Sequence, residues 1–155
     1  LCVGSLDLAP AYATSVRQLI DNCDLQGRIR LAGACEPEEL GAFYDGASLF
    51  VLPSRYEGYG MVFSEALARG LGIVSTTGGA IPLTVPPGAR VFVPPGDVPA
   101  LGRALRGLLT EPAGAVQRAA MAAVARRCAL TLPSWHEAAE RFADATRELT
   151  PDGDV

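Results

Sequence analysis

The sequence predicts an α/β fold, a parallel sheet flanked by helices. Two observations carry that prediction. Short apolar runs alternate with stretches of helical periodicity along the whole chain, which is the pattern of βα units. Those runs are continuously apolar rather than alternating, as expected of a sheet covered on both faces.

The elements follow in order. "LCVG" (1–4) is a short apolar run closed by glycine and reads as a buried strand. Pro10 suits the first turn of a helix, whose Tyr12, Val16, Leu19, Ile20 and Cys23 recur at helical spacing. "RIRLAG" (28–33) is a second strand. "EPEELGAFYDGA" (36–47) is a short helix with Pro37 in its first turn and acids beside its positive end. "SLFVLP" (48–53) is the third strand and "GIVST" (72–76) the fourth, with a helix from about Val62 to Arg69 between them. Gly70 falls where a C-terminal cap glycine belongs. "RVFVP" (90–94) is the fifth strand. Asp97 then caps a helix with Val98, Leu101, Leu105, Leu108 and Leu109 on one face. Two further helices occupy roughly 112–130 and 134–149. The second starts at Ser134 and carries Trp135, Ala138, Ala139, Phe142 and Leu149 on its expected inner stripe. Residues 1–149 read as one domain, and only the tail "TPDGDV" (150–155) looks loose.

Composition excludes several functions. With 155 residues, 49% of them apolar, the chain can bury one domain's core. A net charge of −4 and a pI near 5.0 argue against a nucleic-acid footprint. All 13 basic residues are arginine. A phosphate-loop lysine or a Schiff-base lysine from this chain is therefore ruled out. Cys2, Cys23, Cys35 and Cys128 form no CxxC pair, so free thiols in a reducing cytoplasm are expected. The lone histidine, His136, is eight positions from the nearest cysteine and reads as a surface residue; a zinc site is not expected. No run of eighteen apolar residues occurs. The chain opens on Leu inside a strand-like run, and is expected to be a piece of a longer protein.

In open parallel sheets, ligands lie beyond the carboxyl ends of the strands. The turn there that stands out is "EGYGMVFSE" (57–65). Gly58 and Gly60 clear side chains from a helix start and let a ligand approach the backbone. The N–H groups of Gly60, Met61 and Val62, with the positive end of the helix dipole, suit a phosphate. A carboxylate does not belong on that phosphate, so Glu57 should face hydroxyls, and Glu65, about one turn on, a second diol. Sugar, diphosphate and ribose in that order make a nucleotide-sugar. Plainer roles stand beside these. Glu65 could merely complement the dipole, Glu57 could form a turn, and Tyr59 could fill the loop.

The stretch "GASLFVLPSRYEGYGMVFSEALARGLGIVSTTGGAIP…RVFVPPGD" resembles the donor-binding domain of retaining glycosyltransferases of the GT-B fold, glycosyltransferase family 4. The marks are Glu57 and Glu65 with seven residues between them, the turn Gly78-Gly79-Ala80-Ile81-Pro82, and the helix start Val93-Pro94-Pro95-Gly96-Asp97. The resemblance runs from Leu1 to about Leu149. It implies a Rossmann-like sheet forming the C-terminal half of that fold. It implies that Glu57 binds hydroxyls of the transferred sugar beside the reacting carbon. The amides of Gly58, Tyr59, Gly60, Met61 and Val62 would hold sugar and diphosphate, and Glu65 the ribose. Gly33, Ala34 and Cys35, with Leu40 behind them, would contact the base, and Gly4 and Ser5 would border the nucleotide. No cofactor and no metal are implied beyond the nucleotide-sugar donor.

Two departures from the family pattern are visible. Leu83 stands where an acid usually follows the "IP". The first strand unit of the domain, with the Arg and Lys that clamp the diphosphate, is missing, as is the acceptor domain. The missing strand is expected between "LCVG" and "SLFVLP", so both should have an unpaired edge. The resemblance implies an enzyme in the intact protein, inactive as this piece alone. It would be cytoplasmic, with any hold on the inner membrane face coming from segments outside this sequence. A sugar-nucleotide epimerase of the same architecture and a non-catalytic nucleotide-binding module are the alternatives. A redox Rossmann domain is disfavoured, since no GxGxxG follows a strand.

Overall fold

Twelve elements, alternating strand and helix as far as β5–α5 and ending in two further helices, follow along the chain in a computed structural model that describes residues 1–110 and 112–149, the last two by backbone only. They fall into two compact units, Leu1–Gly46 and Ala47–Val155. The expected loose tail lies outside the described residues.

The first unit holds β1 (Cys2–Val3), α1 (Pro10–Asn22), β2 (Leu31–Gly33) and α2 (Pro37–Asp45). β1 and β2 pair in parallel, Cys2 opposite Leu31 and Val3 opposite Gly33. Proline opens both helices, as their fixed φ and missing N–H favour. Two expectations are corrected here. β1 is exposed at both residues rather than buried, because β2 is its one sheet neighbour among the described residues. The buried stripe of α1 is Ala13 and Ile20, with Val16 half-buried between them; Tyr12, Leu19 and Cys23 are exposed.

The second unit holds β3 (Phe50–Leu52), α3 (Met61–Ala68), β4 (Ile73–Thr76), α4 (Ile81–Thr84), β5 (Arg90–Val93), α5 (Val98–Thr110), α6 (Pro112–Ala129) and α7 (Trp135–Leu149). Its sheet is parallel throughout in the order β3-β4-β5. The central strand β4 is buried at all four positions, its polar Ser75 and Thr76 included, as expected of a strand covered on both faces. Covered faces do not extend to β3, whose Val51 is exposed. The two strands flanking the expected gap, β1 and β3, each have one neighbour among the described residues.

Val74 of β4 packs with Leu108 of α5 and Met121 of α6, with Leu49, Val91, Leu101, Ala104 and Leu105 against them. α5 and α6 approach closely at Gly114, where a β-carbon would overlap the Gly107 carbonyl and stand 2.6 Å from the Leu108 carbonyl oxygen. The Arg118 guanidinium donates to that Leu108 carbonyl near the end of α5. On α3, Phe63, Ala66 and Leu67 are fully buried, and Phe63 meets Phe50 of β3 edge to face at 5.8 Å.

The helix ends match the expected punctuation. Gly70 is left-handed (φ 72°); its N–H reaches the Leu67 carbonyl, and the next N–H, of Leu71, reaches Ala66. The Asp97 carboxylate accepts from the Ala100 N–H at 2.8 Å. Ser134 and Glu137 form a reciprocal cap. α3 begins one residue earlier than expected. Two faces are corrected. Val98 and Leu109 of α5 are exposed, leaving Leu101, Ala104, Leu105 and Leu108 inward. On α7, Trp135 and Phe142 are 84% and 72% exposed, so its apolar stripe is not an inner one. The pattern identifies an apolar face without supplying a surface to cover it. The Leu149 side chain lies outside the described residues.

Candidate functional site

β3 ends at Leu52, and the chain turns through 53–60 into α3. The turn closes on Gly60, left-handed at φ 75°, ψ 58°. A β-carbon there would stand 2.5 Å from the Phe63 ring and 2.9 Å from Glu57 Cγ. Only glycine fits. That closeness also locates Glu57: its half-buried side chain lies beside the start of α3. The Phe63 N–H already bonds back to the Gly60 carbonyl at 2.9 Å. The N–H groups before it, of Gly60, Met61 and Val62, are the ones a helix start leaves without intrahelical partners. They lie at the positive end of the helix dipole. Gly58 and Tyr59 of the turn are exposed, as is Met61; Val62 is half-buried. Glu65 is exposed one turn further along α3. This one turn and helix therefore bring together Glu57, the three amides and Glu65.

A second segment holds the turn in place. The Ser75 hydroxyl donates to the Leu52 carbonyl, and the Thr76 hydroxyl to that of Ser54. The Ala80 N–H donates to the Glu57 carbonyl at 2.9 Å, and the Thr84 hydroxyl to the Tyr59 carbonyl at 2.8 Å. Ser75 and Thr76 are buried, and these bonds satisfy them. Gly78 and Gly79 sit flush on this backbone: a β-carbon at Gly78 would overlap the Arg55 carbonyl, and one at Gly79 the Glu57 carbonyl. The glycine pair singled out by the sequence as a motif is thus a contact surface for the Glu57 turn. Thr84 carried no local signal, since its partner is 25 residues away. Leu83, where the family pattern has an acid, is 89% exposed.

The remaining expected site residues belong to the first unit. Gly4 and Gly33 end the paired strands β1 and β2, where the Gly4 N–H donates to the Gly33 carbonyl at 2.9 Å. Gly33 is left-handed at φ 82°. Ala34 is exposed, Cys35 is a half-buried free thiol, and Leu40 is half-buried on α2. Among the described residues, no three His, Cys, Asp or Glu side chains are grouped to hold a metal ion, and no helix is long and apolar enough to cross a membrane. His136 pairs with Glu140 on the surface at 3.2 Å.

The family described as "Glycosyl transferases group 1" matches residues 3–127, a span that includes every element from α1 to α5 and the whole of the turn just described. The chain belongs to this family. As a group 1 glycosyltransferase chain it is 30% identical, over 84% of its length, to a GDP-mannose-dependent monoacylated alpha-(1-6)-phosphatidylinositol monomannoside mannosyltransferase of Corynebacterium glutamicum, of which it spans 35%. It is 38% identical, over 58% of its length, to the glycogen synthase of Mycobacterium tuberculosis, of which it spans 22%. Among solved structures, the sucrose-phosphate synthase of Thermosynechococcus elongatus superposes with a TM-score of 0.77 at 28% identity, over 90% of this chain and 34% of that one. Anabaena HepE, solved in complex with UDP, superposes at 0.75 and 18% identity over 94% of this chain and 40% of that one, a likeness of fold. The chain has the Rossmann-like α/β fold predicted from its sequence, and these solved structures share it.

Proposed function

We propose that this chain is the donor-binding part of a retaining glycosyltransferase of family 4, which moves a sugar from a nucleotide-sugar to an acceptor hydroxyl. One observation carries the reading: the Glu57 side chain lies beside Gly60, at the glycine-opened start of α3, with Glu65 one turn beyond. The named use of GDP-mannose by the C. glutamicum relative supports a nucleotide-sugar as the donor class.

The chemistry breaks the bond between sugar C1 and the diphosphate and forms one from C1 to the acceptor oxygen, with configuration kept. Negative charge grows on the departing diphosphate. The amides of Gly60, Met61 and Val62 and the α3 dipole meet it without reorganising, and removing one such donor typically costs ~3 kcal/mol in the barrier. Glu57 positions the sugar hydroxyls and favours the positive charge developing at C1. Glu65 accepts from the ribose hydroxyls. Gly33, Ala34, Cys35 and Leu40 contact the base, and Gly4 borders the nucleotide. The acceptor is held by segments outside this sequence, and a cytoplasmic location belongs to the same reading.

Kinetics of the intact protein with UDP-, GDP- and ADP-sugars test it. Glu57→Gln should lower turnover chiefly, and Glu65→Ala should chiefly weaken nucleotide binding. Unchanged kinetics in both variants would remove the assigned roles. Free sugar or an epimerised nucleotide-sugar as the sole product would replace transfer with another reaction.

A further inference from the structure

Four carbonyls, that of Leu52 at the end of β3 and those of Ser54, Glu57 and Tyr59 in the turn, are taken in order by donors from the single stretch 75–84. The last bond bears on the ligand. In a trans peptide the C=O and N–H point in opposite directions, and no cis peptide occurs among the described residues. Holding the Tyr59 carbonyl toward Thr84 therefore turns the Gly60 N–H away from Thr84. That N–H is one of the three amides at the start of α3.

The Thr84 hydroxyl has one proton and two acceptors in reach, the Tyr59 carbonyl at 2.8 Å and the Ala80 carbonyl of its own helix at 3.4 Å. The shorter bond takes it. The Tyr59–Gly60 peptide has need of such a lock. Gly60 tolerates φ of either sign, so this peptide can flip at little steric cost. Tyr59 itself is 65% exposed, so its side chain does little to hold the plane. A flipped peptide would present a carbonyl oxygen where the N–H had been, replacing attraction for an anion with repulsion.

The geometry points to Thr84 as a positioning residue, whose hydroxyl fixes the Tyr59–Gly60 peptide so that the Gly60 N–H faces an incoming diphosphate. This rests on the donor-site reading above and adds to it a residue from α4.

The test uses the intact protein and whichever of UDP, GDP and ADP it binds by calorimetry. Thr84→Val keeps the shape and removes the hydroxyl. It should weaken diphosphate binding about tenfold and raise the donor KM by a similar factor, with kcat changed less. The corresponding nucleoside, lacking phosphates, should bind both proteins alike. Thr84→Ser should restore diphosphate binding to within about twofold of wild type. Should the valine variant not fold, Thr84→Ala carries the same expectation. Wild-type diphosphate binding in the valine variant, alongside weakened binding in Glu65→Ala, would overturn the role of Thr84 and leave the donor site standing. Wild-type binding in both would overturn the site and this inference together.

Discussion

Gly79 rests against the backbone of Glu57 so closely that a β-carbon on it would overlap the Glu57 carbonyl oxygen and stand 2.8 Å from the Glu57 nitrogen. Gly79 is also left-handed, at φ 63°. The neighbouring Ala80 N–H holds that same carbonyl at 2.9 Å. Gly79→Ala should therefore displace the acid-bearing turn as well as strain the backbone. The expected loss is about 2–4 kcal/mol of stability, from the left-handed side chain and the overlap together. Transfer by the still-folded fraction should fall too, because Glu57 moves. Chemical denaturation and kcat of the intact protein check both; a variant with wild-type stability and turnover would show that the contact is slack.

The core prediction concerns Leu108, 2% exposed between Val74 and Met121. Leu108→Ala removes three carbons where β4, α5 and α6 meet. It should cost about 2–5 kcal/mol, seen as a lower denaturation midpoint with an unchanged slope. A loss well under 1 kcal/mol would mean that the neighbours collapse into the space.

Acid should loosen the start of α7. Glu137 is held below its ordinary value of 4.5 by the Ser134 backbone N–H first and the Ser134 hydroxyl second. A lowered folded-state value means the unfolded form binds protons more readily. The cap's contribution is therefore present above 4.5 and lost as pH falls through the lowered value. Protection of the amides in the first turn of α7, measured against their intrinsic exchange rates, should fall over that window, and in Glu137→Gln it should not change across it. Wild-type protection that stays constant through the window would contradict the cap.

Much of this fold was legible because the signals are local. Continuous apolar runs marked the strands, Gly70 marked a left-handed cap, and Asp97 and Ser134 marked helix starts by their own side chains. The site's first half was legible for the same reason: Gly60 and Glu57 are three residues apart, and the glycine is required by the turn. Burial was less legible. The periodicity of α1 does not distinguish a stripe on Tyr12 and Leu19 from one on Ala13 and Ile20. Trp135 and Phe142 illustrate the converse, an apolar face with no guarantee of a covering surface. α4 was missed because four residues are too few to show a period. The Thr84–Tyr59 bond joins positions far apart in sequence and has no signature in either.

The most direct measurement is a crystal structure of the intact protein with a bound nucleotide-sugar or its nucleoside diphosphate and sugar. Phosphate oxygens are expected on the amides of Gly60, Met61 and Val62, ribose hydroxyls on Glu65 and sugar hydroxyls on Glu57. A diphosphate seated away from the start of α3, or sugar and ribose bound with neither acid in contact, would contradict this placement.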